Sequence, residues 1–167
     1  MSSKIVVLIS GGGTNLQAII DACTESNYPA EIVGVVSNKA DAYGLTRAQN
    51  SNITAVTLSH KDFASREDYD QALIKEIDCF DADLIVLAGF MRILTPSFVQ
   101  HFQGKLLNIH PSLLPKFGGK GMYGNHVHKA VIEAQESESG ISIHFVNEEY
   151  DKGAIFFQAK VSIEKKF

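Results

Sequence analysis

The residues best suited to chemistry lie in Leu106 to Pro115, which reads Leu-Leu-Asn-Ile-His-Pro-Ser-Leu-Leu-Pro. In an extended strand alternate side chains share a face, so Asn108 and His110 point one way while Leu107 and Ile109 point the other. Pro111 has no N–H to give a sheet, so the strand stops at His110 and leaves the pair at its carboxyl end, where open α/β sheets bind ligands. An amide can donate to a developing oxyanion and an imidazole can supply a proton near neutral pH. Addition to a carbonyl needs both parts. The same residues would also suit a solvated strand end with no chemistry attached.

A second constellation lies near the amino terminus. Lys4 to Ser10 reads as a buried strand, Gly11, Gly12 and Gly13 follow, and Leu16, Ile19, Ile20 and Cys23 recur on one helical face, with Thr14 or Asn15 placed to cap it. Glycines let backbone approach an anion closely, and a helix start offers unpaired N–H groups and the positive end of its dipole. A phosphate cradle or a tight turn that needs glycine for geometry alone would both read this way. A dinucleotide fingerprint is broken twice: Leu16 stands where the third glycine belongs, and the second strand ends in Ser37-Asn38-Lys39 without a ribose-gripping acid. Gly119-Lys120 is followed by Gly121, so a P-loop is absent too. A lone phosphate monoester is the ligand this leaves.

The remaining elements alternate. Strands are predicted at Ala30 to Ser37, Thr54 to Thr57 and Leu84 to Ala88, with helices at Tyr43 to Asn50, from a Ser65 to Asp68 capping box through Asp81, and near Pro96 to Gln103. Arg66 sits in a helical first turn, where a cation opposes the dipole, so it serves either a ligand or only the surface. Gly89 to Leu94 leaves its strand as an apolar loop, and Phe90, Met91, Ile93 and Leu94 either cover core or line a pocket for a flat ligand. Lys116 to Asn125 is glycine-rich and reads equally as a lid or a surface loop. A last helix carries Val127, Ala130, Val131 and Ala134, followed by strands at Gly140 to Phe145 and Ala154 to Val161. His126, His128 and His144 lack a completing ligand set, which argues against a metal.

Composition bounds the class. The chain has 167 residues, 45% hydrophobic and 20% charged, with a net charge of −4, so one globular domain with a sizeable core is expected. Its scattered Lys and Arg give no nucleic-acid or membrane footprint, which leaves a small-molecule ligand as the partner. Cys23 and Cys79 lie in apolar helical patterns and read as reduced, buried thiols. Without a leader or a long apolar run, a soluble cytoplasmic protein is expected. The oligomeric state stays open.

Four stretches carry a resemblance: Ile9 to Gln17, Ala88 to Leu94 (Ala-Gly-Phe-Met-Arg-Ile-Leu), Asn108 to Pro115 and the turn Tyr150-Asp151-Lys152-Gly153. Together they resemble the formyltransferase family, and within it the phosphoribosylglycinamide formyltransferases. The resemblance implies an open, doubly wound, mostly parallel α/β sheet of Rossmann-like type with helices on both faces. It also implies a single formyltransferase domain over 1–167 that stops short of the family's carboxyl-terminal end. The implied reaction moves a formyl group from 10-formyltetrahydrofolate, a co-substrate, to the amine of glycinamide ribonucleotide in purine synthesis, with no metal. By this resemblance Asn108, His110 and Asp151 are catalytic, and Gly12, Gly13, Thr14 and Asn15 hold the substrate phosphate. Arg66, Met91, Arg92, Ile93, Leu94 and Asn108 contact the folate. A 10-formyltetrahydrofolate hydrolase would share the three catalytic residues, and a non-catalytic nucleotide-binding module would share the glycine loop.

Overall fold

The computed structural model describes residues 2–147 and 153–164. The chain divides into two compact units, Met1–Leu106 and Leu107–Phe167. No helix among the described residues is long and apolar enough to cross a membrane.

The first unit alternates strands with helices: β1 (Ser3–Ile9), α1 (Thr14–Cys23), β2 (Ala30–Ser37), α2 (Tyr43–Asn50), β3 (Ala55–Thr57), a 3-10 turn (His60–Asp62), α3 (Arg66–Asp78), β4 (Leu84–Leu87) and α4 (Pro96–His101). Its strands run parallel in the order β3-β2-β1-β4. Such a sheet is covered on both faces, and the sequence shows it: Val6, Val7, Leu8 and Ile9 are all buried, with no polar alternation. The predicted α/β class holds, and most predicted boundaries fall within a residue or two.

Three local readings are corrected. Neither Thr14 nor Asn15 caps α1: the cap is Gly13 at φ 76°, with no side-chain hydrogen bond. A β-carbon on Gly13 would lie 2.7 Å from the Gly44 α-carbon, so the turn excludes any larger residue there. Helix α3 begins as read, with Ser65 Oγ accepting from the Asp68 N–H at 3.1 Å, but it ends at Asp78 rather than Asp81. Phe80 therefore leaves the helical stripe and packs its ring against Gly34, whose missing side chain makes the space: a β-carbon there would meet the ring at 2.6 Å. Cys23 is half-buried and Cys79, at the end of α3, is exposed, so the expectation of two buried thiols fails at Cys79.

The second unit is built on β5 (Leu106–His110), α5 (Asn125–Glu133), β6 (Glu138–Phe145) and β7 (Ile155–Ser162). Here β6 pairs antiparallel with both β5 and β7. Val127 and Val131, one helical turn apart, are the buried face of α5.

Candidate functional site

Strand β1 has β2 on one side and β4 on the other, so the order reverses between β1 and β4. In an open parallel sheet the crevice beyond the carboxyl ends at such a reversal is where ligands bind. The two segments that leave those ends are Ser10 to Gly13 and Ala88 to Leu94, the glycine turn and the apolar loop singled out by sequence.

The glycine turn is held by its carbonyls. Gly11 accepts from the Gly44 N–H at 3.0 Å, Gly12 from Arg47 Nε at 2.8 Å, and Gly13 from the Gln17 N–H at 2.8 Å. The N–H groups of Gly12, Gly13, Thr14 and Asn15 have no acceptor among the described residues. Consecutive unpaired N–H groups at a helix start form a nest that fits an anion.

Ser10 joins the turn to the apolar loop. Its hydroxyl donates to Asn38 Oδ1 at 2.5 Å and accepts from the Met91 N–H at 2.8 Å, with Ser10 and Asn38 both buried. Met91 is 47% and Ile93 48% exposed, while Arg92 and Leu94, which alternate with them, are half-buried. This alternation favours an apolar lining over a core cover, and it suits the faces of a flat ring. The Arg92 guanidinium lies 4.6 Å from the Tyr69 ring centre, a cation–π contact, and its Nε is buried without a partner among the described residues. The loop ends where the Thr95 N–H donates to buried Asp70 Oδ2 at 2.7 Å. Burial pushes the Tyr69 phenol up to about 12, with Arg92 drawing it down and Asp70 adding to the rise. Arg66 stands exposed in the first turn of α3, with no hydrogen bond or ion pair to another described residue.

In the second unit Asn108 and His110 share one face of β5, as their spacing requires. Asn108 is paired with His144 across the β5–β6 ladder, and His110 with Ser142. Asn108 Nδ2 lies 3.1 Å from His144 Nε2, while His144 Nδ1 lies 3.1 Å from the Phe145 carbonyl. A carbonyl only accepts, so Nδ1 carries the proton and Nε2 accepts from the amide. His110 is 3% exposed and donates from Nε2 to the Phe117 carbonyl at 2.8 Å, so that nitrogen carries a proton. The segment after β5 is fixed: Ser142 Oγ donates to the Ser112 carbonyl at 2.7 Å, and Gln158 Nε2 donates to the Leu114 carbonyl at 3.0 Å. Asp151 lies outside the described residues.

Sequence reasoning passed over Ser10, Arg47 and the tie from His144 to Asn108. The alternation of β6 could have placed His144 and Ser142 on one face, but nothing local pointed to Asn108. His126, which shares with His144 only the side-chain type of a possible metal ligand, is exposed and packs edge-on against Tyr123, ring centres 4.9 Å apart.

Comparison with known proteins covers nearly the whole chain. The formyl transferase family model matches residues 3–166. The phosphoribosylglycinamide formyltransferase of Escherichia coli K12 is 54% identical over 160 residues, which are 96% of this chain and 73% of the relative. The human trifunctional purine biosynthetic protein adenosine-3 is 42% identical over 163 residues, 98% of this chain and 16% of that protein. Among solved structures, the phosphoribosylglycinamide formyltransferase of Coxiella burnetii superposes with a TM-score of 0.91 at 47% identity, covering 100% of this chain and 76% of its own. The open α/β fold, the glycine turn and the Asn108–His110 strand end thus sit in a chain that belongs to the formyl transferase family.

Proposed function

We propose that this enzyme transfers the formyl group of 10-formyltetrahydrofolate to the amine of 5′-phosphoribosylglycinamide, a step of purine synthesis, in the cytoplasm. The observation that carries the reading is the pair Asn108 and His110 on one face of β5, each anchored by a hydrogen bond, in a chain 54% identical to a phosphoribosylglycinamide formyltransferase.

The roles follow from the chemistry of each group. Unpaired N–H groups from Gly12 to Asn15 take the substrate phosphate. Met91 and Ile93 offer exposed apolar surface to the pterin ring, and Arg92, Leu94 and exposed Arg66 complete the folate contacts. When the amine attacks the formyl carbon a tetrahedral oxyanion forms. One Nδ2 hydrogen of Asn108 is committed to His144, and the reading assigns the second to the oxyanion. Nδ1 of His110, in its protonated form, donates as well. Asp151 is carried over from the family resemblance alone, as the carboxylate of the catalytic set. The intermediate collapses with loss of the folate nitrogen, which takes up a proton as the attacking amine gives one up. Side chains fill the proton and oxyanion roles, so the reading assigns no step to a metal.

The test incubates the full chain with 10-formyltetrahydrofolate, with and without 5′-phosphoribosylglycinamide. Formyl release that depends strictly on the amine supports the transferase. Equal release to water in both would establish a hydrolase, and none in either would leave only a binding module.

A further inference from the structure

We propose that Arg47 is a positioning residue for phosphate recognition: its bond to the Gly12 carbonyl sets the peptide between Gly12 and Gly13 so that the Gly13 N–H faces the phosphate. This rests on the reading that Gly12 to Asn15 hold that group. In a trans peptide the carbonyl of one residue and the N–H of the next point in opposite directions. Anchoring the carbonyls of Gly11, Gly12 and Gly13 therefore aims the N–H groups of Gly12, Gly13 and Thr14. Two of those anchors, the N–H groups of Gly44 and Gln17, are backbone groups that come with α2 and α1. The middle one is a side chain, Arg47 Nε at 2.8 Å. The peptide it holds joins two glycines, so no β-carbon resists its rotation. Released, it could turn a carbonyl oxygen toward a phosphate dianion, which exchanges a donor for a repulsive acceptor.

Arg47 is itself fixed. Its Nη1 donates to Gln17 Oε1 at 3.3 Å, Gln17 Nε2 donates to Asp21 Oδ1 at 2.8 Å, and the guanidinium carbon lies 5.0 Å from the Tyr43 ring centre. The side chain thus spans from α2 to both the glycine turn and the first turns of α1. Lysine could supply the charge but not this fork, in which one planar group serves two acceptors.

The experiment compares the full-length wild type with Arg47→Met and Arg47→Lys. In Arg47→Met the KM for 5′-phosphoribosylglycinamide should rise about tenfold, the effect of one lost hydrogen bond, while kcat and the KM for the folate stay within about twofold. Inhibition by inorganic phosphate should weaken in parallel, and the phosphate-free nucleoside should be used no worse than by wild type. Arg47→Lys should fall between the two. A merely structural role would lower thermal stability and the active fraction without moving the KM ratio. An unchanged KM and an unchanged phosphate inhibition in either folded variant would overturn the proposal. Calorimetric binding of 5′-phosphoribosylglycinamide to wild type separates the two readings: its absence refutes the proposed substrate, whereas wild-type binding matched by Arg47→Met refutes only the role of Arg47.

Discussion

Asn108 lies directly across the β5–β6 pairing from His144 and gives one of its amide hydrogens to the ring at 3.1 Å. The other ring nitrogen faces the Phe145 carbonyl, so Nδ1 carries a proton and Nε2 accepts from the amide. The ring fixes which end of the Asn108 amide faces which way. An amide free to flip would present its oxygen to an oxyanion half of the time.

Asn108→Ala and His110→Ala should each lower turnover by about 10²–10³, the usual cost of losing an oxyanion donor. Both side chains lie at the end of a strand rather than in the apolar core, so far-ultraviolet circular dichroism should not change. Near-normal steady-state turnover in either variant would remove that residue from the mechanism.

His144→Ala should lower kcat by about tenfold and leave the KM for the phosphorylated substrate unaltered, since the amide loses its orientation while the phosphate cradle is untouched. His144→Gln keeps a side-chain oxygen able to accept from Asn108 and should retain more of the rate. Equal kcat for both variants would show that orientation is not the role of the ring.

Ser10→Ala should destabilise the fold by about 1–3 kcal/mol, because Asn38 Oδ1 would be buried without its donor and the Met91 N–H would lose its acceptor. Urea unfolding measures the loss. Folate affinity should weaken as the 89–94 loop slackens, and a variant as stable as wild type would refute the structural part of this expectation.

The Tyr69 phenol, held near 12 against an ordinary value of 10.0, predicts an alkaline dependence. Above pH 10 the unfolded chain sheds this proton while the folded chain keeps it, so stability is whole below that pH and falls as pH rises toward 12. Tyr69→Phe should flatten this part of the curve. It also deletes the 2.9 Å bond to the Leu58 carbonyl, costing about 1 kcal/mol at neutral pH. Urea midpoints at mildly and strongly alkaline pH would test both effects.

The strands and helices were legible because burial imprints its period on the chain. The unbroken apolar run at Val6 to Ile9 can only be a strand covered on both faces, and Tyr69, Leu73 and Ile77 trace one side of a helix. Boundaries were less legible where a residue serves tertiary rather than helical packing. Phe80 continues the spacing of the α3 stripe, yet it fills the gap over Gly34 from beyond the helix end. The Asn108–His110 pair was visible because one strand carries both residues and Pro111 ends it. The supports were not. His144 is 36 residues from Asn108, Arg47 is 35 from Gly12, and Met91 is 81 from Ser10, distances over which no periodicity speaks. Hydroxyls and guanidinium groups are also common at surfaces, so their types alone do not mark them as struts.

The Ser10 hydroxyl stands between two loops, accepting from the Met91 N–H of one while its own backbone runs from β1 into the other. If 5′-phosphoribosylglycinamide on the glycine turn tightens folate binding at the 89–94 loop by some factor, folate must tighten the nucleotide by the same factor, since linkage is reciprocal. A random order of addition would then carry a measurable synergy between the substrates. Removing one hydroxyl at Ser10 would reduce that synergy without touching either ligand, leaving two binding events that no longer sense each other.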